Sequence, residues 1–325
     1  MNSHTVRFAG LAIFALQLSV SALADWPMPG HDVRRTSHSA DPVQPPTRAL
    51  WHKKIDALIP SRSQIITLEA SSGSPAMVLV TAADGIHSLD PDTGAERWLY
   101  AMDMPPGDAP SVEGRLAFVA GTDGTIHAVQ TADGRRVWRT DRAGAPFYAN
   151  PLVGDGRVCA GARDGVFYCF DKFDGKLLWF KRTDAPISYS AAYQTYPDEP
   201  NGVYFFASQD RCAYALRAET GEEIWRTCDL PGSTFIAYWP VVTGERVLFV
   251  SASNYPTDDQ QDLGALQREG VLVEEGELEA RKDPLGRIRV DHHIAWLEAH
   301  PERRSVLVLD RKTGAQAEIT PFLWW

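Results

Sequence analysis

The sequence predicts an all-β fold, a β-propeller built from four-stranded antiparallel blades, and three observations support this. A unit of roughly 40 residues recurs four times, and each copy contains short apolar segments separated by turns that carry Asp and Gly. A Gly stands four residues before a Trp in every copy, and these tryptophans lie 40, 41 and 46 residues apart. Repeats of this length with several short strands each are typical of propeller blades. The repeated tryptophans are Trp98, Trp138, Trp179 and Trp225.

The third repeat shows how one unit is expected to fold. Residues 156–161 form an apolar strand, and the turn at Asp164-Gly165 connects it to a second strand at 166–170. Asp-Gly favours tight hairpins because Gly accepts positive φ. A further turn leads to the outer strand that carries Trp179, and residues 147–153 supply the inner strand. The unit is therefore a four-stranded meander, and we expect its Trp to pack between blades rather than to face a ligand.

The repeat array is irregular at both ends. Residues 49–55, around Trp51, have the pattern of an outer strand without a blade of its own, and we expect them to complete the last blade and cover its edges. The fifth unit begins at 238–242, is interrupted at 253–304 and has Glu318 where the other units have Trp. Five blades are visible and the chain stops in an apolar run, which favours an incomplete or truncated ring.

The interruption at 253–304 is expected to be an inserted excursion in the fifth blade. Carboxylates dominate its first half and Lys and Arg its second half. It could be a solvated lid over one face of the ring, or an element that docks a partner. Its metal-like cluster is Asp291, His292, His293 and His300. This cluster lacks the ligand spacing of known zinc motifs, and we expect no metal site there.

The first 24 residues have the composition of a signal peptide. Arg7 precedes an apolar run from 8 to 23, which ends in Ala22-Leu23-Ala24, the small-x-small pattern that signal peptidase recognises. The run is shorter than the ~20 apolar residues that a membrane span needs. We therefore expect residues 1–24 to be removed, residues 25–325 to form a single propeller domain, and the protein to be periplasmic or secreted.

The charge of the chain limits its partners. The formal net charge is -10 at pH 7, which argues against nucleic acid and against electrostatic attraction to anionic lipid. No segment after the signal peptide is long and apolar enough to predict a transmembrane helix. The partner is therefore expected to be a protein or a small ligand.

Two stretches of sequence resemble the PQQ-binding-like β-propeller repeat proteins. One is Leu89-Asp90-x-x-Thr93-Gly94-x-x-x-Trp98 with its three successors, and the other is Asp25-Trp26-Pro27-Met28-Pro29-Gly30-His31-Asp32 followed by Arg35-Thr36. The family includes quinoprotein dehydrogenases and the outer-membrane assembly lipoprotein of the BAM complex. The resemblance implies the propeller fold and a role for the Trp motif in joining blades. Gln130 and Arg217 depart from it, because they stand where the motif has Asp.

The resemblance does not extend to a catalytic site. Quinoprotein dehydrogenases of this family carry an adjacent Cys-Cys pair and a calcium site of Glu, Asn and Asp, and this sequence has no Cys-Cys dipeptide and no matching motif for the ligands. We expect no catalytic residues and an exported, non-catalytic scaffold that binds a protein or small ligand on a propeller face. The alternative is a periplasmic PQQ-dependent quinoprotein oxidoreductase, here partial, which would use PQQ and Ca²⁺.

Four residues in the segments that lead into the inner strands, three of them aromatic, are candidates for ligand contact. Equivalent positions of successive blades converge on the axis, so these residues could form an aromatic mouth for a flat ligand or a peptide, or could be core packing. The candidates are Tyr148, Asn150, Tyr189 and Trp239.

The four cysteines suggest two disulfides in an exported chain. Pairing around the Asp164-Gly165 turn places Cys159 opposite Cys169, and around the next turn Cys212 falls within one residue of Cys228. Neighbouring positions on paired strands have the Cβ separation that a disulfide needs. The alternative is four half-buried thiols.

Overall fold

The computed structural model describes residues 25–39, 49–60, 63–70, 75–230, 234–235, 238–251 and 305–321. In these ranges all regular secondary structure is β, and twenty strands form five four-stranded antiparallel sheets. The prediction of an all-β fold with four-stranded antiparallel blades is confirmed. The expectations for residues 1–24 and 253–304, including the histidine cluster, lie outside the described residues. Within the described ranges, no helix has the length and apolar character required to cross a membrane.

Each sheet is one blade whose strands follow one another in the chain, from an inner strand to an outer strand. Blade 1 consists of β1 (Ile66–Leu68), β2 (Met77–Ala82), β3 (Gly85–Leu89) and β4 (Glu96–Ala101). Blade 2 consists of β5 (Ser111–Glu113), β6 (Leu116–Ala120), β7 (Ile126–Gln130) and β8 (Arg136–Arg139). Blade 3 consists of β9 (Leu152–Gly154), β10 (Arg157–Gly161), β11 (Val166–Asp171) and β12 (Leu177–Arg182). Blade 4 consists of β13 (Ala192–Tyr196), β14 (Glu199–Ala207), β15 (Ala213–Arg217) and β16 (Glu223–Thr227). Blade 5 consists of β17 (Val241–Thr243), β18 (Arg246–Val250), β19 (Ser305–Asp310) and β20 (Gln316–Pro321).

In blades 1 and 5 the turn between the third and fourth strands follows from the sequence Asp-x-x-Thr-Gly. In blade 1, Asp90 Oδ1 accepts hydrogen bonds from the backbone N–H and the hydroxyl of Thr93, both at 2.9 Å. Gly94 then takes a φ of +69°, a left-handed conformation that favours Gly. The same bonds join Asp310 and Thr313 in blade 5. The motif therefore fixes where the outer strands of blades 1 and 5 begin.

A tryptophan joins each of blades 1 to 4 to the turn of the next blade. The indole N–H of Trp98 in blade 1 donates to the carbonyl of Thr131 in blade 2 at 3.0 Å. Its ring lies so close to the following turn that a Cβ on Gly134 would be 2.8 Å from a ring carbon. The equivalent pairs are Trp138 on Gly175, Trp179 on Gly221 and Trp225 on Gly314. Each turn Gly thus leaves the space into which the neighbouring blade inserts its indole.

Residues 49–55 were expected to form an outer strand, and this expectation is wrong: the segment has no strand in the structure. Trp51 nevertheless makes the same joint as the other tryptophans. Its indole N–H donates to the carbonyl of Pro91 at 2.7 Å, and its ring lies against Gly94. The side chain, rather than a ladder of backbone hydrogen bonds, holds this segment to blade 1.

Both predicted disulfides are formed. Cys159 and Cys169 are directly opposite each other on β10 and β11, with a Cα–Cα distance of 4.2 Å. Cys212 and Cys228 are joined just outside the paired ends of β15 and β16, with a Cα–Cα distance of 4.1 Å. The register of the hairpins brings both pairs within the reach of a disulfide.

Residues 25–37 connect the inner strands of several blades. Five backbone hydrogen bonds of 2.7–3.2 Å reach blades 1, 2, 4 and 5. Two join Trp26 and Thr67, and the others join Val112 to Pro27, Tyr193 to Val33, and Val242 to Arg34. An inner strand is the edge of its sheet, so one side of its backbone needs partners from elsewhere. This segment supplies them and links blades that are distant in sequence.

A hydrogen-bond chain connects blades 1 and 2. Tyr100 O–H donates to His127 Nδ1 at 2.6 Å, and His127 Nε2 lies 2.6 Å from Thr125 Oγ1. Thr125 donates its own proton to Asp123 at 2.7 Å, so Nε2 must carry the imidazole hydrogen. Burial lowers the pKa of His127 to about 4, which keeps the ring neutral in this chain.

We predict that alanine at Gly175 destabilises the protein more than alanine at Gly156. Both residues have nearly the same positive φ, +73° and +76°, but a Cβ at Gly175 would lie 2.7 Å from the Trp138 ring, whereas Gly156 faces open space. G156A should cost about 1–2 kcal/mol for the left-handed conformation, and G175A about 1–3 kcal/mol more for overpacking. Equilibrium unfolding in guanidinium chloride measures both. Equal losses would show that the indole is not held tightly against the turn.

We predict that His127 makes the fold sensitive to mild acid. Its pKa is lower in the folded chain, about 4, than the ordinary 6.5, so the unfolded chain binds more protons between these values. His127 therefore contributes roughly 3 kcal/mol to the free energy of unfolding above pH 6.5, and this contribution is lost as the pH falls towards 4. Between pH 6.5 and 4 the free energy of unfolding should fall by about 3 kcal/mol less in H127Q than in the unmodified protein. Denaturant unfolding at a series of pH values measures the difference. Parallel curves for the two proteins would contradict the prediction.

Candidate functional site

A cavity of about 930 Å³ opens where the connections between blades enter the inner strands, and all five blades contribute to it. The connections supply Pro60, Asp108, Tyr148, Tyr189 and Thr234, which precede blades 1 to 5 in that order. The hairpins between the second and third strands of blades 3 and 4 add Arg163 and Gln209. Because its wall comes from irregular segments held by a rigid frame, the cavity is the place where the sequence can vary without disturbing the blades.

Two charged residues, Asp108 and Arg163, lie in the wall of the cavity. The guanidinium of Arg163 stacks over the ring of Tyr148, 5.6 Å from its centroid, and the Tyr148 side chain is 47% exposed. Within the described part of the chain, Arg163 has no ion-pair partner. The pair therefore presents an available cation and a flat aromatic surface to whatever enters the cavity.

Neutral polar groups complete the wall. The hydroxyls of Ser63 and Thr234 are buried and have no hydrogen-bond partner among the described residues. Gln209 donates from its amide to the hydroxyl of Ser188 at 2.5 Å, which holds both side chains at the rim. Buried polar atoms in folded proteins are nearly always hydrogen-bonded, so the two hydroxyls are available to water or to a ligand.

A buried arginine lies behind this wall. Arg35 is fully buried, and its Nε donates to the carbonyl of Ala191 at 3.1 Å. Its two terminal nitrogens donate to the carbonyl of Pro29 and the hydroxyl of Ser190. Burial lowers the pKa of Arg35 to about 9, while the carboxylate of Asp108 acts in the opposite direction. The N-terminal segment thereby places a cation directly behind the residues that line the cavity.

The candidates for ligand contact fall into two groups. Tyr148 and Tyr189 line the cavity, and the ring of Trp239 packs 6.4 Å from Tyr189 and 6.0 Å from the Arg35 guanidinium. Asn150 is buried elsewhere, and its amide donates to the Ser111 hydroxyl at 3.3 Å. It ties blade 3 to blade 2 and does not line the cavity.

The sequence alone did not identify Asp108, Arg163 or Gln209 as site residues, and Arg35 was noted only as part of the N-terminal motif. For Arg163 and Gln209 a signal exists, because each stands directly before the Asp that opens a repeat turn. The same position holds Ala83 and Thr122 in blades 1 and 2. When a position varies while its neighbours repeat, the blade fold does not require a particular side chain there. The residue at such a position can therefore serve contact with a ligand or partner.

The fold and its tryptophan joints define a propeller of PQQ-type repeats. Residues 82–320 match the family model described as outer membrane protein assembly factor BamB, and the chain belongs to this family. It is 25% identical over 173 residues to outer membrane protein assembly factor BamB of Yersinia pestis, a match that covers 48% of this chain and 42% of the relative. It is 27% identical over 153 residues to quinohemoprotein alcohol dehydrogenase ADH-IIG of Pseudomonas putida, which covers 42% of this chain and 21% of that one.

The structural comparison agrees on the fold. The solved structure of ADH-IIG from Pseudomonas putida HK5 superimposes with a TM-score of 0.59 at 15% identity, and covers 93% of this chain and 48% of that one. The chain therefore spans less than half the length of these relatives.

The cavity wall does not fit a calcium–quinone pair. Ca²⁺ takes six to eight oxygen ligands, several of them carboxylates, and the described residues of the wall offer one carboxylate, Asp108. In the described ranges no three His, Cys, Asp or Glu side chains are grouped so as to hold a metal ion. The four cysteines are all in disulfides.

We predict that R35A destabilises the protein by about 2–5 kcal/mol, because it leaves a cavity and three buried acceptors without a donor. R34A is the matched control, since the neighbouring side chain is 48% exposed and bonds to Asp32 at the surface. It should change the free energy of unfolding by less than about 0.5 kcal/mol. Chemical denaturation of the two variants measures the difference, and similar losses would show that Arg35 does not hold the inner strands together.

Proposed function

We propose that the protein is an exported, non-catalytic β-propeller scaffold that binds a partner protein in the cavity between the blade connections. The observation that carries this proposal is the stacked pair of Arg163 and Tyr148, exposed in the wall and without an ion pair in the described structure. A guanidinium fixed on an aromatic ring is suited to hold a carboxylate by two parallel hydrogen bonds.

The composition of the wall supports a protein partner. Tyr and Arg are among the residues that contribute most to binding energy at protein interfaces. The wall combines them with apolar groups at Leu58 and Ile59, which are 77% and 46% exposed. Exposed apolar side chains next to an available cation favour a segment that offers an apolar side chain and a carboxylate together.

The relatives support the same class of function. Those named outer membrane protein assembly factor are assembly proteins by their name, and the chain is similar to them over about half its length. The signal-like residues 1–24 support export to the periplasm or beyond. The similarity to a quinohemoprotein alcohol dehydrogenase supports the alternative, a PQQ-dependent oxidoreductase, because the fold is shared. The residues that line the cavity do not support it, because they do not form a calcium site.

We predict that a photo-crosslinking residue at Tyr148 captures the partner in the native cells, and that R163A weakens binding of that partner by about tenfold or more. R142A is the matched control, since Arg142 is equally exposed but lies outside the cavity wall. Isothermal titration with the purified partner measures the affinities. Unchanged affinity for R163A would contradict the proposed site.

The oxidoreductase alternative has its own test. The protein is incubated with PQQ and Ca²⁺, and dye-linked oxidation of alcohols and sugars is followed. Stoichiometric quinone binding with turnover would overturn the scaffold proposal, whereas the proposal expects neither.

A further inference from the structure

The outer strand of blade 3 exposes an unusual amount of apolar surface. Leu177, Leu178 and Phe180 on β12 are 49%, 47% and 51% exposed, and Phe173 in the preceding turn is 70% exposed. These four side chains lie within eight residues of chain. Single exposed apolar residues are ordinary at protein surfaces, but a contiguous group marks an interaction site.

The other blades show that the propeller fold does not require this surface. The strand registers align Leu177 with Glu96, Arg136, Glu223 and Gln316 on the outer strands of blades 1, 2, 4 and 5. They align Phe180 with Leu99, Arg139, Arg226 and Ile319 in blades 1, 2, 4 and 5. Leu177 therefore stands where every other blade has a polar or charged residue, and Phe180 stands where two of the four have Arg.

Leu177 and Phe180 also share one face of the sheet. Phe180 pairs with Tyr168 and Leu177 pairs with Phe170 on β11, and cross-strand partners point to the same side. The rings of Tyr168 and Phe170 stack with centroids 6.0 Å apart. Tyr168, which is half-buried, thus continues the exposed face from Phe180 onto the third strand, whereas Phe170 beside Leu177 is buried in the core.

The backbone of β12 has one open side. Its sheet runs in the order β9, β10, β11 and β12, so β12 pairs with β11 on one side and ends the sheet on the other. Natural edge strands of this kind are usually protected by charged side chains. An edge strand with unpaired N–H and C=O groups and apolar neighbours is suited to accept a further strand.

The charges of β12 indicate which strand it accepts. The strand contains Lys181 and Arg182 and no carboxylate, and Lys176 precedes it. Lys181 pairs with Glu223 at 2.7 Å and Lys176 with Asp174 at 2.5 Å, so these two cations already have partners. Arg182 stacks 5.6 Å from the Phe180 centroid and has no ion pair in the described structure. A second copy of this strand would offer Arg182 no carboxylate, because the strand contains none. Anionic lipid is disfavoured by the net charge of -10.

We infer that β12 binds an extended, acidic segment of a partner protein by strand addition at the rim of blade 3. Main-chain hydrogen bonds to the open edge supply affinity. The apolar surface around Leu177 and Phe180 packs against alternate side chains of the added strand, and Arg182 selects for carboxylates. This surface is separate from the cavity wall and does not depend on the function proposed for that wall.

The test measures binding of fluorescein-labelled synthetic peptides to the full chain by fluorescence anisotropy. The first peptide alternates valine and glutamate, the second replaces glutamate with lysine, and the third is the glutamate peptide N-methylated at every backbone nitrogen. We expect the glutamate peptide to bind about tenfold or more tightly than either of the others. The third peptide isolates the main-chain contribution, because it cannot donate to the open edge.

The matched variant is L177E combined with F180R, which gives blade 3 the residues that blade 4 has at Glu223 and Arg226. Blade 4 folds with these residues, so the melting temperature should be retained while the affinity for the glutamate peptide falls about tenfold or more. L99R is the matched control, because Leu99 is 40% exposed on the outer strand of blade 1, and it should leave peptide binding unchanged.

Four outcomes would overturn the inference. The first is no binding of the glutamate peptide at millimolar concentration. The second and third are equal binding of the N-methylated peptide and equal binding by the double variant. The fourth is self-association in sedimentation, or binding to phosphatidylglycerol vesicles, that the double variant weakens while no peptide binding is seen. Failure of R163A in the cavity experiment leaves these measurements intact, so the two proposals fail independently.

Discussion

The structure depends on the insertion of one indole ring into the space left by a glycine in the next blade. A single four-stranded blade cannot bury both faces of its sheet, so each blade is stable by packing on its neighbours. The joint combines a large buried ring, a hydrogen bond from the indole to a turn carbonyl, and a glycine whose missing Cβ makes room for both. Trp98 and Gly134 show the arrangement, and Trp51 repeats it on blade 1 without a strand of its own. The side chain and the turn, rather than the strand, therefore define the unit of assembly.

The centre of the molecule is organised differently from its periphery. Repeated contacts hold the outer parts of the blades, but the inner strands are joined by a segment that occurs once, residues 25–37. Arg35 completes this arrangement, with a φ of +62° that costs about 1–2 kcal/mol in a residue with a Cβ. Each of its three guanidinium nitrogens donates to a buried acceptor, and its cation lies behind the cavity wall. Arg35 therefore both stabilises the inner strands and influences the electrostatics of the cavity.

Both proposed binding surfaces lie where blade 3 departs from the other repeats. Arg163 stands at a turn position that holds a small residue in blades 1 and 2, Leu177 stands where every other blade has a polar or charged residue, and Phe180 stands where two of the four have Arg. The repeat supplies an internal comparison, because residues at equivalent positions meet the same structural demands. A residue that differs without a structural need is a candidate for function, and this reasoning replaces the conservation that an alignment would give.

The sequence by itself determined the blades, the turns and the disulfides, because each depends on residues close together in the chain. The alternation of apolar strands and Asp- or Gly-containing turns sets the hairpin register, and the register places Cys159 opposite Cys169. The same reasoning failed for 49–55, since a strand pattern does not show whether a neighbouring strand is there to pair with. Only the tertiary structure decided that Tyr148 and Tyr189 share a cavity with Arg163 and that Asn150 does not. It also decided that Arg35 meets Ser190, 155 residues away. Contacts of that separation are fixed by how the blades close around the N-terminal segment, and no local pattern encodes them.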